Sequence, residues 1–202
     1  LWQPGQVTPT LTWADGRSTG VRIEVGPAVY DGGAVRVRWW NDRFPLYVYA
    51  ATPDGELRWY AKNGDAWEKS YPGARSACTY DHGRLYHMNA HGRLVCLEAE
   101  TGREEWVVRV LERFQGENIT WGISESLLVH GDLVFATPCG EKGLVVALNK
   151  QTGDTVWATP AIAGERPSYA SPILINVAGR TLLINSAIEN AFAVDATTGE
   201  LC

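Results

Sequence analysis

The sequence predicts an all-β fold, a β-propeller of four-stranded antiparallel blades. Three observations predict it. One motif returns about every fifty residues, a second turn motif returns in phase with it, and no segment sustains the 3.6-residue apolar period of a helix. The composition agrees: 9 Trp and 21 Gly in 202 residues suit many short strands joined by glycine turns.

The first motif occurs four times, at Tyr49–Trp59, Cys96–Trp106, Ala147–Trp157 and Ala193–Cys202. In the first three copies Trp stands four residues after Gly, as Gly55 and Trp59, Gly102 and Trp106, Gly153 and Trp157. In the fourth, Gly199 sets the next Trp one position past Cys202. The glycine spacings are 47, 51 and 46 residues. Trp2 and Trp13 compete as the docking residue of a still earlier copy.

The second motif is a tight turn between apolar runs: Tyr30–Gly33, Tyr80–Gly83, Val129–Gly131 and Val177–Gly179, spaced by 50, 48 and 48 residues from the last Gly. Between these anchors each repeat reads as four strands. In the third, the strands are Ser126–Val129, Leu133–Thr137, Leu144–Leu148 and Thr155–Trp157. Their turns at His130–Asp132, Gly140–Gly143 and Gln151–Gly153 are expected to use glycine at positive φ. The approximate blades are 21–71, 72–119, 120–166 and 167–202, within a single domain over 1–202.

The repeated Trp has a physical task. One blade cannot bury both of its faces, so neighbours must stack. A flat indole on the outer strand offers apolar area to the next blade, and its N–H is expected to find a backbone carbonyl. The Gly before it turns the chain into that strand.

Bulk properties exclude several classes. A chain 45% hydrophobic and 20% charged has an ordinary globular balance. Its longest apolar runs are about five residues, as in Leu144–Leu148, against roughly 18 for a membrane helix. A net charge of −5 without a Lys/Arg cluster argues against a nucleic-acid partner. Cys78, Cys96, Cys139 and Cys202 are scattered, which is neither a zinc pattern nor a disulfide framework and reads as structural, mostly buried thiols.

The pattern A-x-D-x-x-T-G-x-x-x-W resembles the tryptophan-docking repeat of the pyrroloquinoline-quinone (PQQ)-like β-propellers, the group of the quinoprotein alcohol dehydrogenases and the BamB-type outer-membrane assembly lipoproteins. Ala193, Asp195, Thr198 and Gly199 match in the last copy, and Ala147, Thr152, Gly153 and Trp157 in the third. Thr101, Gly102 and Trp106 match in the second, and Gly55 and Trp59 in a degenerate first. The resemblance implies a ring of seven or eight blades, of which about four are present, so that the chain reads as a partial propeller. It also suggests a periplasmic or cell-envelope setting.

For the dehydrogenase members the resemblance implies PQQ in a central funnel, a Ca²⁺ on hard oxygen ligands, an Asp base and often a disulfide of adjacent cysteines. No Cys-Cys pair occurs here, and no ligand set matches residue by residue. G-x-S-x-G, H-E-x-x-H and a Walker loop are also lacking. No catalytic residue is therefore assigned, no cofactor is expected, and PQQ with Ca²⁺ is the alternative. His82, His87 and His91 invite a metal reading. His87 and His91 lie about 13 Å apart along a strand, too far for one ion, so no metal site is assigned. Asn118-Ile119-Thr120 fits a glycosylation sequon and reads as a loop coincidence.

The loops entering the first strand of each blade would rim the funnel. Arg75, Trp121, Glu125 and Tyr169 are the candidate ligand-binding residues there. The structural alternative has Trp121 and Tyr169 packing between blades while Arg75 and Glu125 pair or face solvent. Trp39 and Trp40 form a second aromatic cluster suited to a partner or a sugar. Three functions follow: a non-catalytic binding or scaffold propeller whose protein partner or small ligand engages the loops, a piece of a PQQ-dependent alcohol or sugar dehydrogenase, and a sugar-binding propeller. Exposed blade faces are expected to make the chain self-associate.

Overall fold

In a computed structural model of the chain, the described residues are 10–12, 18–20, 29–30, 33–36, 45–52, 55–69 and 73–202, with side chains from Leu46 onward. Trp2, Trp13, Trp39 and Trp40 lie outside them.

The strands form one after another in antiparallel meanders. β1 (Thr10–Thr12) pairs with β2 (Ser18–Gly20). The next sheet runs in the order β3 (Val29–Tyr30), β4 (Gly33–Arg36), β5 (Pro45–Ala51), β6 (Leu57–Asp65). Its successor is β7 (Thr79–Asp81), β8 (Arg84–Met88), β9 (Arg93–Glu98), β10 (Glu104–Arg109). A short helix, α1 (Val110–Phe114), follows. The third four-stranded sheet is β11 (Leu128–His130), β12 (Leu133–Ala136), β13 (Val146–Asn149), β14 (Thr155–Ala158). The last sheet has three strands, β15 (Ile173–Val177), β16 (Arg180–Ser186) and β17 (Ala191–Asp195), with Leu201 bridged to Val194.

Strand alternation divides each sheet's side chains between its two neighbours. On β12, Val134 and Ala136 pack with Tyr86, Met88, Leu94 and Cys96 of the preceding sheet. Phe135, between them, packs with Leu183, Phe192 and Val194 of the following one. Val48, Ala50 and Trp59 meet Leu85, Val95 and Leu97 in the same way. The core is thus a series of apolar layers between sheets, not one central mass. The short first strands β7 and β11 touch, and Thr79 Oγ1 donates to the Leu127 carbonyl at 2.5 Å.

The docking residues hold these layers at the outer strands. Trp59 Nε1–H donates to the Ala99 carbonyl at 3.0 Å and Trp106 Nε1–H to the Lys150 carbonyl at 3.1 Å. Each acceptor lies three residues before the docking Gly of the next repeat. Trp157 departs from this: its Nε1 is buried without a hydrogen-bond partner. The expectation of a carbonyl for every indole therefore fails at the third joint.

The glycines do more than turn the chain. Gly102, Gly153 and Gly199 have φ of 72, 75 and 77°. A Cβ on them would stand 2.4, 2.8 and 2.6 Å from Cε3 of Trp59, Trp106 and Trp157. Each indole therefore lies flat on the glycine of the following repeat. Two further expectations are corrected. Gly140 and Gly143 do not use positive φ; Gly140 is small because a Cβ would stand 2.1 Å from the Phe114 carbonyl oxygen. And α1 interrupts the all-strand reading, because Val110, Leu111 and Phe114 bury together in a helix of five residues, too short to show a period.

Candidate functional site

The loops that precede β7, β11 and β15 are bonded to one another. The Ala77 N–H donates to Ser126 Oγ at 3.1 Å, and the Ser126 N–H to Ser171 Oγ at 2.9 Å. Ser124 Oγ donates to the Tyr169 carbonyl at 3.2 Å. Residues from successive repeats thus form one continuous rim.

Trp121 and Tyr169 meet on this rim. Their ring centroids are 5.5 Å apart with 31° between the planes, and the Trp121 N–H approaches the Tyr169 hydroxyl at 3.4 Å. They remain 46% and 47% exposed. The pair therefore packs between repeats and still presents an aromatic surface to solvent. Such half-wet rings suit a protein or ligand contact.

Glu125 is placed otherwise. It is 2% exposed, so it neither faces solvent nor joins the aromatic surface. Its carboxylate accepts the Thr137 N–H at 2.9 Å and the Thr137 hydroxyl at 2.7 Å, and the Asn185 amide approaches it at 3.4 Å. Asn185 also donates to Thr137 Oγ1 at 2.8 Å. Burial pushes the Glu125 carboxyl up to about 7, against the lowering effect of the Thr137 donors. The same burial, reinforced by Glu125 and Glu165, pushes the Cys139 thiol up to about 12. This cluster ties the third four-stranded sheet to the last sheet. Arg75, half-buried in the loop before β7, belongs to an earlier position on the rim. Of the four candidates, Trp121 and Tyr169 are in direct ring contact.

A matching polar knot joins the first two four-stranded sheets. His87 is fully buried, with Nδ1 2.6 Å from Asn63 Nδ2 and Nε2 3.2 Å from Ser76 Oγ. Burial pulls its pKa down to about 4, so the ring is neutral at physiological pH. His82 lies beside Asp81 on an exposed turn, and His91 Nε2 is 3.2 Å from the Ala66 carbonyl. The three histidines serve three separate places. The Asn118 amide is engaged by the Ala90 carbonyl at 2.8 Å.

These knots were missed in the sequence, although a signal was there. Asn89, Thr137 and Asn185 each stand six residues after a turn glycine, Gly83, Gly131 and Gly179. All three are buried polar residues at sheet joints. A polar residue at a fixed repeat position inside an apolar strand marks a joint that must be hydrogen-bonded.

The fit to a quinone and Ca²⁺ can be read from these residues. The Glu125 oxygens are engaged by protein donors, and the four cysteines are free and far from one another in sequence. Among the described residues, no three His, Cys, Asp or Glu side chains converge on a point that could hold an ion. No described helix is long and apolar enough to cross a membrane.

Comparison with known proteins agrees with the repeat architecture. The family model for outer membrane protein assembly factor BamB matches residues 46–202. The structure of BamB from Moraxella catarrhalis is similar with a TM-score of 0.56 at 18% identity, covering 98% of this chain and 49% of that one. The quinohemoprotein alcohol dehydrogenase from Pseudomonas putida has a TM-score of 0.50 at 16% identity, covering 83% of this chain and 34% of that one. At these identities the likeness concerns the fold alone. No curated protein matches the sequence. The chain spans about half the length of the BamB structure it matches. The match over residues 46–202, the four-stranded meanders and the stacked docking tryptophans together show that the chain belongs to the BamB family of PQQ-like β-propeller repeat proteins.

Proposed function

We propose that this propeller is a non-catalytic binding and scaffold module of the bacterial cell envelope, engaging a protein partner through the rim that carries Trp121 and Tyr169. One observation carries the reading: the two rings stack across successive repeats while close to half of each remains exposed. Among the docking rings Trp59 is buried and Trp106 and Trp157 are half-buried, whereas Trp121 and Tyr169 are both exposed. The family description, an assembly factor for outer membrane proteins, supports both the envelope setting and a role exercised on other proteins. The engaged oxygens of Glu125 support a rim that binds without doing chemistry.

Site-specific photo-crosslinking in cells tests this in the complete protein. A crosslinker at position 121 or 169 is expected to give one defined protein adduct, and one at the exposed turn residue His82 none. A folded protein with no adduct from either rim position, or with the same adducts from all three, contradicts the reading.

A further inference from the structure

The repeat is broken around the joint of the first two four-stranded sheets, and the breaks converge on one cavity of about 660 Å³. The first break is in β6. Pairing passes from Tyr47 opposite Lys62 to Pro45 opposite Asp65, so one extra residue is inserted at Asn63–Gly64. On a regular strand, residues three apart project to opposite faces. The bulge cancels that, and Lys62 and Asp65 both line the cavity. Gly64 makes the bulge possible: its φ is +72°, and a Cβ there would stand 2.7 Å from Asn89 Nδ2. The second break is α1, which follows β10 and puts Leu111 and Glu112 on the opposite wall. The corresponding connection after β14 contains no helix.

The floor is already neutralised and fixed. The Arg93 guanidinium donates to Asn63 Oδ1 and to Glu104, both at 2.7 Å. Asn89 Oδ1 accepts the His91 and Arg93 N–H groups at 2.9 Å, and its amide donates to the Asn63 carbonyl at 2.9 Å. The walls differ. Lys62 and Asp65 make no ion pair among the described residues. Across the cavity, Arg109 and Glu112 stand 3.8 Å apart with side chains 75% and 76% exposed, too loose to satisfy either. Each wall therefore offers one cation and one anion over a rigid floor. β6 is also the terminal strand of its sheet, with a backbone edge outside the ladder.

We propose that this cavity binds an extended peptide segment of a partner protein that carries one acidic and one basic side chain, laid along β6. A terminal strand supplies backbone hydrogen bonds to such a segment, and the two walls read its charges. The site goes beyond the rim and is independent of what the rim binds.

Calorimetric titration of the full chain with two blocked hexapeptides tests it. One carries a glutamate and a lysine two residues apart, and the other carries glutamine at both places. The charged peptide is expected to bind saturably and at least about tenfold more tightly than the glutamine peptide, with loss of affinity in about 0.5 M NaCl. Lys62→Glu and Arg109→Glu are each expected to weaken it about tenfold, while Asp132→Lys, on the exposed turn between β11 and β12 and outside the cavity lining, leaves it unchanged. Circular dichroism checks that each variant is folded. Equal binding of the two peptides, no saturable binding by folded protein, or indifference to both charge reversals overturns the proposal.

Discussion

The indole of Trp59 lies flat on the Cα of Gly102, forty-three positions further along the chain, so closely that a Cβ at 102 would stand 2.4 Å from Cε3. The same relation joins Trp106 to Gly153 and Trp157 to Gly199. It explains why Gly and Trp recur together although they serve different joints. The Gly of each motif receives the Trp of the motif before.

Gly102→Ala therefore carries two penalties, positive φ and collision with the ring. Gly83 isolates the first, since its φ is +82° and nothing lies within 4 Å of its ideal Cβ. Gly83→Ala is expected to cost about 1 kcal/mol, and Gly102→Ala about 3 kcal/mol or more. Urea unfolding followed by Trp fluorescence measures both. Equal costs would mean that the indole moves aside freely.

The third joint tests the hydrogen-bond part of docking. Trp106→Phe removes an N–H bond to the Lys150 carbonyl, whereas Trp157→Phe removes a buried donor that has no partner. Trp106→Phe is expected to be the more destabilising by about 1–2 kcal/mol. The reverse order in urea midpoints would contradict the geometry at Trp157.

Two buried groups give opposite pH dependences. The native state keeps Glu125 protonated up to about 7, while the unfolded chain releases that proton near the ordinary carboxyl value of 4.5, so Glu125 costs stability as pH rises between those values. His87 stays neutral in the native state down to about 4, while the unfolded chain protonates it below 6.5, so stability falls as pH drops through that window. Where the windows overlap the slopes oppose. Wild-type stability is expected to be nearly flat from about pH 5 to 6. Glu125→Gln is expected to leave the His87 slope alone and to gain on the wild type as pH rises from about 4.5 to about 7. Urea midpoints from pH 4 to 8 check this, and a constant offset between the two proteins would contradict it.

The far face of the last sheet is apolar. Ile173, Ile175 and Val177 alternate with Leu174, which packs inward, and are 58%, 38% and 48% exposed. The corresponding face of the preceding sheet, with Leu128, Leu133 and Phe135, is covered by the next one. The 202-residue chain is expected to self-associate through this face, and Ile173→Lys with Ile175→Lys to reduce that association in light scattering. A monodisperse wild-type monomer would contradict it.

The architecture was legible because the repeat prints its anchors twice, as Gly-and-Trp and as a turn glycine, so strands could be placed between them within one or two residues. β12 was read as Leu133–Thr137 and runs over Leu133–Ala136; β13 was read as Leu144–Leu148 and runs over Val146–Asn149. The site was less legible. Trp121 and Tyr169 were read together from their loops and do meet. Glu125 sits beside them in sequence yet turns into the joint, because Thr137 and Asn185, twelve and sixty positions away, supply its donors. The cavity beside β6 depends on a bulge and a one-turn helix, and both are too short to disturb a periodic pattern.

The most direct measurement is a titration of the complete protein with PQQ, with and without Ca²⁺, followed by Trp fluorescence. The binding-module account predicts a flat titration by protein shown to be folded. Saturable, Ca²⁺-dependent quenching would contradict it and identify the rim as the mouth of a quinone site.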